Sequence, residues 1–164
     1  MTMLPDILAE NLNIIFCGTA AGNKSAQVRQ YYAGRGNKFW RILYETGLTP
    51  RLLSPHEFPT LPQYGLGLTD LAQGTSGSDA SLKKSDYDVP GFRARILRAA
   101  PRVIAFNGKN AAKFYYGRSA VSYGLQDDVL GQSAVFVLPS TSGAANGSWD
   151  AAHWHTLAAF VSAC

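Results

Sequence analysis

The stretch FCGTAAGNKSA, residues 16–26, decides the fold, because an apolar run stops there at a cluster of small residues. An apolar strand that ends in a glycine-rich turn and then restarts in a polar segment is how α/β proteins make binding loops. Residues 18–25, GTAAGNKS, come close to the Walker pattern GxxxxGK[ST], but the second glycine is one place early. A Walker loop cradles phosphate with successive backbone amides, and its lysine directly follows the glycine. The displaced Gly22 changes which residue can turn sharply. Asp70 could serve as the magnesium acid of such a nucleotide-binding enzyme. The bland alternative is a tight strand-to-helix turn that needs small residues.

Working outward, three more apolar runs resemble NIIFCG at 13–18: LGLTDL at 66–71, RVIAFNG at 102–108 and AVFVLPS at 134–140. Continuous apolar strands predict a parallel sheet covered on both faces. Helical patterns lie between them. NKFWRILYETG (37–47) offers Asn37 as N-cap and Gly47 as stop, with Phe39, Trp40 and Leu43 on one face. VPGFRARILRAAP (89–101) places Pro90 at its start and turns Phe92, Ile96 and Leu97 inward. KNAAKFYYG (109–117) follows the third strand. SWDAAHWHTLAAFVSA (148–163) offers Ser148 as N-cap and a stripe of Trp154, Leu157, Ala158 and Val161. The polar stretch 72–90 reads as a long surface loop. The expected fold is a three-layer α/β/α sandwich with a central, mostly parallel sheet of four to five strands, one domain over residues 1–164.

Composition narrows the class. The chain has 164 residues and 46% hydrophobic residues, enough for a real core and too many for disorder. Lysine and arginine number 15 against 11 acids, a surplus that fits an anionic partner. Two cysteines, Cys17 and Cys164, cannot build a disulfide framework or a four-ligand zinc site. His153 and His155 flank Trp154 and cannot share a helical face, so they are no two-histidine metal site. The N-terminus carries acids and no basic region, so no signal peptide is expected, and no apolar run has membrane-spanning length. A cytoplasmic protein is expected.

The order and spacing of DILAENLNIIFCG, YYAGRGNKFWRILYETGLTP, GLTDL, FNGK and VLPSTSG resemble the uracil-DNA glycosylase superfamily, nearest to its mismatch-specific uracil/thymine branch. The resemblance runs almost end to end. It implies hydrolysis of the bond between a base and deoxyribose by a monofunctional enzyme with no metal and no cofactor; a monomer acting on uracil-containing DNA is expected, single- or double-stranded because the small Ala144 and Ala145 suggest a weak wedge for the gap left by a flipped base. Such an enzyme takes its base out of the stack into a pocket.

On this resemblance Gly18, Thr19, Ala20, Tyr32, Asn107 and Ser140 would bind uracil. Tyr32 falls where the family places the aromatic that stacks on the base, with Tyr31 beside it as the competing assignment. Asn107 could read an imide edge or hold water; it could equally cap the helix that follows. Asp70 could orient water or face the positive sugar, or simply cap a loop. Asp70, Asn107 and Ser140 are the catalytic candidates. Lys24, Ser25 and Arg29 after the first loop, and Ser142, Gly143, Ala144, Ala145 and Asn146 in PSTSGAANGS, would contact DNA. Arg35, Lys38, Lys83 and Lys84 add positive charge nearby.

Two departures stand out. The branch normally carries an Asn at the position of Ala20, which helps place the attacking water, and Ser140 replaces a polar Asn or His of relatives. A positioned base contributes ~10²–10⁴ in rate, whereas preorganised charge stabilisation is usually larger. Uracil is a fair anionic leaving group, so backbone amides around Ala20 and Ser140 could carry its charge without a dedicated base.

Overall fold

Alternate residues along the strands part to opposite faces, and each face has its own helices. In the computed structural model, which describes residues 4–73 and 87–163, Ile14 and Phe16 of strand β1 (Ile14–Gly18) face one layer while Ile15 and Cys17 face the other. The same alternation divides β2 (Leu66–Asp70), β3 (Val103–Asn107) and β5 (Ser133–Leu138). Helices α2 (Phe39–Glu45) and α5 (Ala151–Ser162) cover the first face, with a 3-10 segment at Pro55–Tyr64. Helices α3 (Val89–Ala99) and α4 (Lys109–Tyr116) cover the second. The three-layer sandwich is therefore as expected.

The sheet order is β2-β1-β3-β5-β4, with the first four strands mutually parallel. Strand β4 (Gly124–Leu130) pairs antiparallel with β5 and forms one edge. Its residues GLQDDVL are mostly exposed, which is why no apolar run announced it. A six-residue helix, α1 (Asn23–Val28), follows the first glycine loop.

Several local expectations need correction. Leu97 is exposed rather than inward, because the stripe on α3 is narrower than its apolar content suggests. Asp150, not Ser148, caps α5, accepting from the Ala152 N–H at 3.0 Å. Asn37 lies one residue before the N-cap position of α2, and its side chain accepts from the Phe39 N–H at 3.0 Å. The α5 stripe of Trp154, Leu157, Ala158 and Val161 is buried as read. Lys83, Lys84 and Cys164 lie outside the described residues. Among the described residues, no helix is long and apolar enough to cross a membrane.

Trp154 connects the core to the loop after β5. It is fully buried, stacks on Phe16 with ring centres 5.6 Å apart, and donates its indole N–H to the Pro139 carbonyl at 3.0 Å. Trp154→Ala is expected to lower stability by ~3–5 kcal/mol. Trp154→Phe keeps most of the apolar area but strands the Pro139 carbonyl, and is expected to cost ~1–3 kcal/mol. Urea unfolding midpoints of the two variants check this order.

Candidate active site

In open α/β sheets the ligand crevice forms at the carboxyl ends of the strands, where the chain order reverses. Here that point lies between β1 and β3, since the chain leaves β1 for β2 on one side and returns to β3 on the other. A cavity of about 740 Å³ opens there. Gly18, Asp70 and Asn107 are the last residues of β1, β2 and β3, and β5 runs into Ser140 two residues beyond Leu138. Gly18 pairs with Asp70, and Asn107 pairs with Leu138, so these ends sit level.

Gly18 has to be glycine for a reason of space. A Cβ there would stand 2.8 Å from Asp70 Oδ1 and 3.4 Å from the Tyr32 hydroxyl oxygen. The missing side chain lets an acid and a phenol converge on one point of the slot.

Asn107 does not cap α4. Its Oδ1 accepts from the Thr141 N–H and its Nδ2 donates to Thr141 Oγ1, each at 3.0 Å. Only the oxygen can meet a backbone N–H, so this pair fixes which way the amide points. One N–H of Asn107 remains beyond these two bonds.

Tyr31 and Tyr32 separate cleanly. Tyr31 is buried, donates its hydroxyl to the Pro5 carbonyl at 3.0 Å, and its own carbonyl accepts from Trp40 Nε1 at 3.0 Å. Tyr32 has a left-handed backbone, φ +52°, which turns its ring toward the slot. The ring stacks on Phe39 with centres 4.1 Å apart.

Burial raises the Asp70 carboxyl to about 8, Asp6 adds to the rise, and the Gly18 N–H and Arg95 oppose it. The expectation of a ready carboxylate at this position is thereby restated: at neutral pH the side chain is mostly a neutral acid. Behind it runs a polar network that the sequence did not reveal. Arg95 donates to the Asp70 carbonyl at 3.2 Å and pairs with Asp6 at 3.0 Å, while the Thr69 hydroxyl donates to Asp6 at 2.7 Å. These residues come from three separate segments with no shared motif.

The first loop supplies Thr19 and Ala20 to the cavity wall, and Lys24 to its rim. Ser25 touches the cavity too, but it is buried and its hydroxyl accepts from the Ala33 N–H at 3.0 Å, so its side chain is spent on the fold. Arg29 is exposed and ends α1 away from the cavity lining.

The second loop supplies Ser140, Ser142, Gly143, Ala144 and Ala145. Ser140 Oγ accepts from the Ser142 N–H, and Ser142 Oγ from the Ala144 N–H, both at 3.2 Å. With the Thr141 N–H bonded to Asn107, three of the amides expected to grip an anion are already paired, two of them inside the loop. The Ser140 and Ser142 hydroxyl protons are not used in these contacts. Asn146 is outside the lining and accepts from the Lys38 ammonium. Three rim residues were missed: Lys109 and Lys113 on α4, and Tyr123, whose ring carries the Lys109 ammonium at 4.2 Å. The lysine of FNGK was the available signal for the first.

Fold and cavity together define an α/β sandwich with a ligand slot at its switch point. The family model of the uracil DNA glycosylase superfamily matches residues 5–160, and the chain belongs to that superfamily. Its fold is similar to the NMR structure of a Methanosarcina acetivorans protein titled as a candidate uracil DNA glycosylase. The two align at TM-score 0.63 with 23% identity, covering 97% of this chain and 96% of that one.

The buried acid has a measurable consequence. The folded protein keeps the Asp70 proton up to about pH 8, whereas an unfolded chain gives it up near the ordinary aspartate value of 3.8. The native state therefore binds more protons between these values, and stability falls as pH rises through that window. Asp6, also raised chiefly by burial, acts in the same direction. Asp70→Asn is expected to melt higher than the natural protein at about pH 9, with the gap closing toward about pH 4. Thermal unfolding across that range checks it.

Proposed function

We propose that the protein is a monofunctional uracil-DNA glycosylase that flips uracil into the slot and leaves an abasic site. The observation that carries this reading is the convergence of Gly18, Tyr32, Asp70, Asn107 and Ser140 on one cavity in a chain of this superfamily.

The C1′–N1 bond breaks with its electron pair leaving on the pyrimidine. Water oxygen adds to C1′, and the surplus water proton passes to solvent or to an ionised Asp70. The pyrimidine anion then takes up a proton, giving free uracil and abasic deoxyribose. The remaining Asn107 N–H and the Ser140 hydroxyl would donate to the departing anion. A neutral Asp70 at neutral pH does not repel that anion. The cationic sugar that forms in the transition state favours ionisation of any acid close to it, so Asp70 can answer the charge as it develops. The Ala20 methyl takes no part in activating water. Lys24, Arg35, Lys109 and Lys113 around the rim suit phosphates of one or two strands. Ser142, Gly143, Ala144 and Ala145 would lie against the DNA near the flipped base.

A second reading is a protein that binds uracil or abasic DNA without cutting the glycosidic bond. It is favoured by one observation: Ala20 carries no basic group, and Asp70 is mostly protonated at neutral pH.

Uracil-containing oligonucleotides, incubated with the protein and then treated with alkali, distinguish the two. Strand scission at uracil supports the glycosylase; a gel shift without scission supports the binder. Within the first reading, Asn107→Ala and Tyr32→Ala are expected to lower the single-turnover rate by ~10²-fold or more, while Ala20→Asn keeps activity. Wild-type rates in both pocket variants would show that the slot is elsewhere.

A further inference from the structure

The family resemblance gives Tyr32 a stacking face. The structure gives it something else as well, a hydroxyl with no hydrogen bond. That oxygen is buried, and no donor or acceptor meets it in hydrogen-bonding geometry. Asn107, whose amide oxygen and one N–H are taken by Thr141, is near enough to favour charge on it, but an N–H can only donate to that oxygen and leaves the hydroxyl proton without an acceptor. An unpaired buried hydroxyl is destabilising and rare, and it calls for an explanation.

Two further features hold the hydroxyl where it is. The backbone of Tyr32 is left-handed at φ +52°, a conformation that costs energy for a residue with a Cβ. Gly18 lacks the Cβ that would crowd the same spot. One face of the ring is already occupied by Phe39. A tyrosine retained only as a flat surface would do as well as phenylalanine here, and better, since phenylalanine strands no polar atom. Burial first, and then Asp70, push its ionisation far up, so the group is a proton-bearing donor at every working pH.

We propose that the Tyr32 hydroxyl is a catalytic hydrogen-bond donor to a carbonyl oxygen of the departing pyrimidine, beyond any stacking by its ring. This rests on the proposed glycosylase reading and names a donor for it. No proton is transferred: the O–H bond stays intact while the C1′–N1 electron pair moves onto the pyrimidine. The partner missing from the free protein is then the substrate itself, and the strain at φ +52° holds the donor in place before the substrate arrives.

Tyr32→Phe removes one oxygen and keeps the ring. Single-turnover cleavage of a uracil strand is expected to slow by ~10-fold or more, with strand affinity changed by less than about two-fold. The thermal midpoint is expected to rise, since an unpaired polar atom is gone. On a 5-fluorouracil strand, whose base is a better leaving group, the deficit is expected to shrink. A hydroxyl with no part in the reaction would leave the leaving-group dependence unmoved. Equal rates for Tyr32→Phe and the natural protein overturn the proposal, as does a rate loss that accompanies a lower midpoint and is the same for both bases. If the natural protein does not cleave uracil strands, the glycosylase reading has failed on its own account. Titration with free uracil then judges the hydroxyl: affinity weakened by Tyr32→Phe supports it as a pyrimidine contact, and unchanged affinity overturns it.

Discussion

The site depends on the two hydrogen bonds between Asn107 and Thr141. They join the end of β3 to the loop after β5, 34 residues further along the chain. Because the Thr141 N–H requires an oxygen, the amide cannot flip, and the remaining Asn107 N–H has a defined direction. The same loop is held from two other sides: Trp154 takes the Pro139 carbonyl, and the Lys38 N–H donates to the Thr141 carbonyl at 2.9 Å. Three anchors within the three residues 139–141 leave the backbone little freedom. A donor that must meet a short-lived charge benefits from such fixation, because no reorganisation is needed when the charge appears.

Electrostatics follows from the same enclosure. A buried carboxyl at the end of β2 and a buried phenol beside it are both pushed toward their protonated forms. Near neutral pH these two side chains therefore bring little negative charge to the slot. For a reaction whose leaving group is an anion this is favourable, since an ionised acid beside the departing base would oppose bond breaking. It is unfavourable for activating water. The structure thus favours the leaving group over the nucleophile, consistent with the methyl group at Ala20. Arg95 tempers the imbalance by pairing with Asp6 behind the acid, without entering the cavity lining.

What could be read from the residues was what repeats or sits on strand ends. Four continuous apolar runs gave four parallel strands, and their final residues Gly18, Asp70 and Asn107 gave the floor of the slot. Strand β4 escaped because an edge strand with two adjacent aspartates, Asp127 and Asp128, has no apolar signature. The partner of Asn107 escaped because a hydrogen bond spanning 34 residues leaves no local trace. Asp6, Thr69 and Arg95 escaped for the same reason: an acid in a terminal segment, a strand threonine and a helix arginine each have an ordinary local explanation. The spent hydroxyl of Ser25 shows the opposite error, a motif position whose side chain serves its own loop.

The second loop is where sequence and structure modify each other most. Its small residues Ala144 and Ala145 suggested a poor wedge for the gap left by a flipped base. At the root of this lip, Gly143 packs on the loop before α2, where a Cβ would stand 3.4 Å from the Gly36 carbonyl oxygen. Further along, Lys38 ties down Asn146 and lies over the Trp149 ring at 5.4 Å. The lip is thus a short 3-10 segment, Gly143–Ser148, braced at both ends, with Ala144 exposed at its start. A braced lip of small side chains cannot replace a lost base by intercalating a large group. It can hold a backbone in place at little conformational cost. Under the proposed function, extrusion would then draw on the pull of the slot more than on a push from the loop, and a strand with no partner to stack against would be no worse a substrate than a duplex.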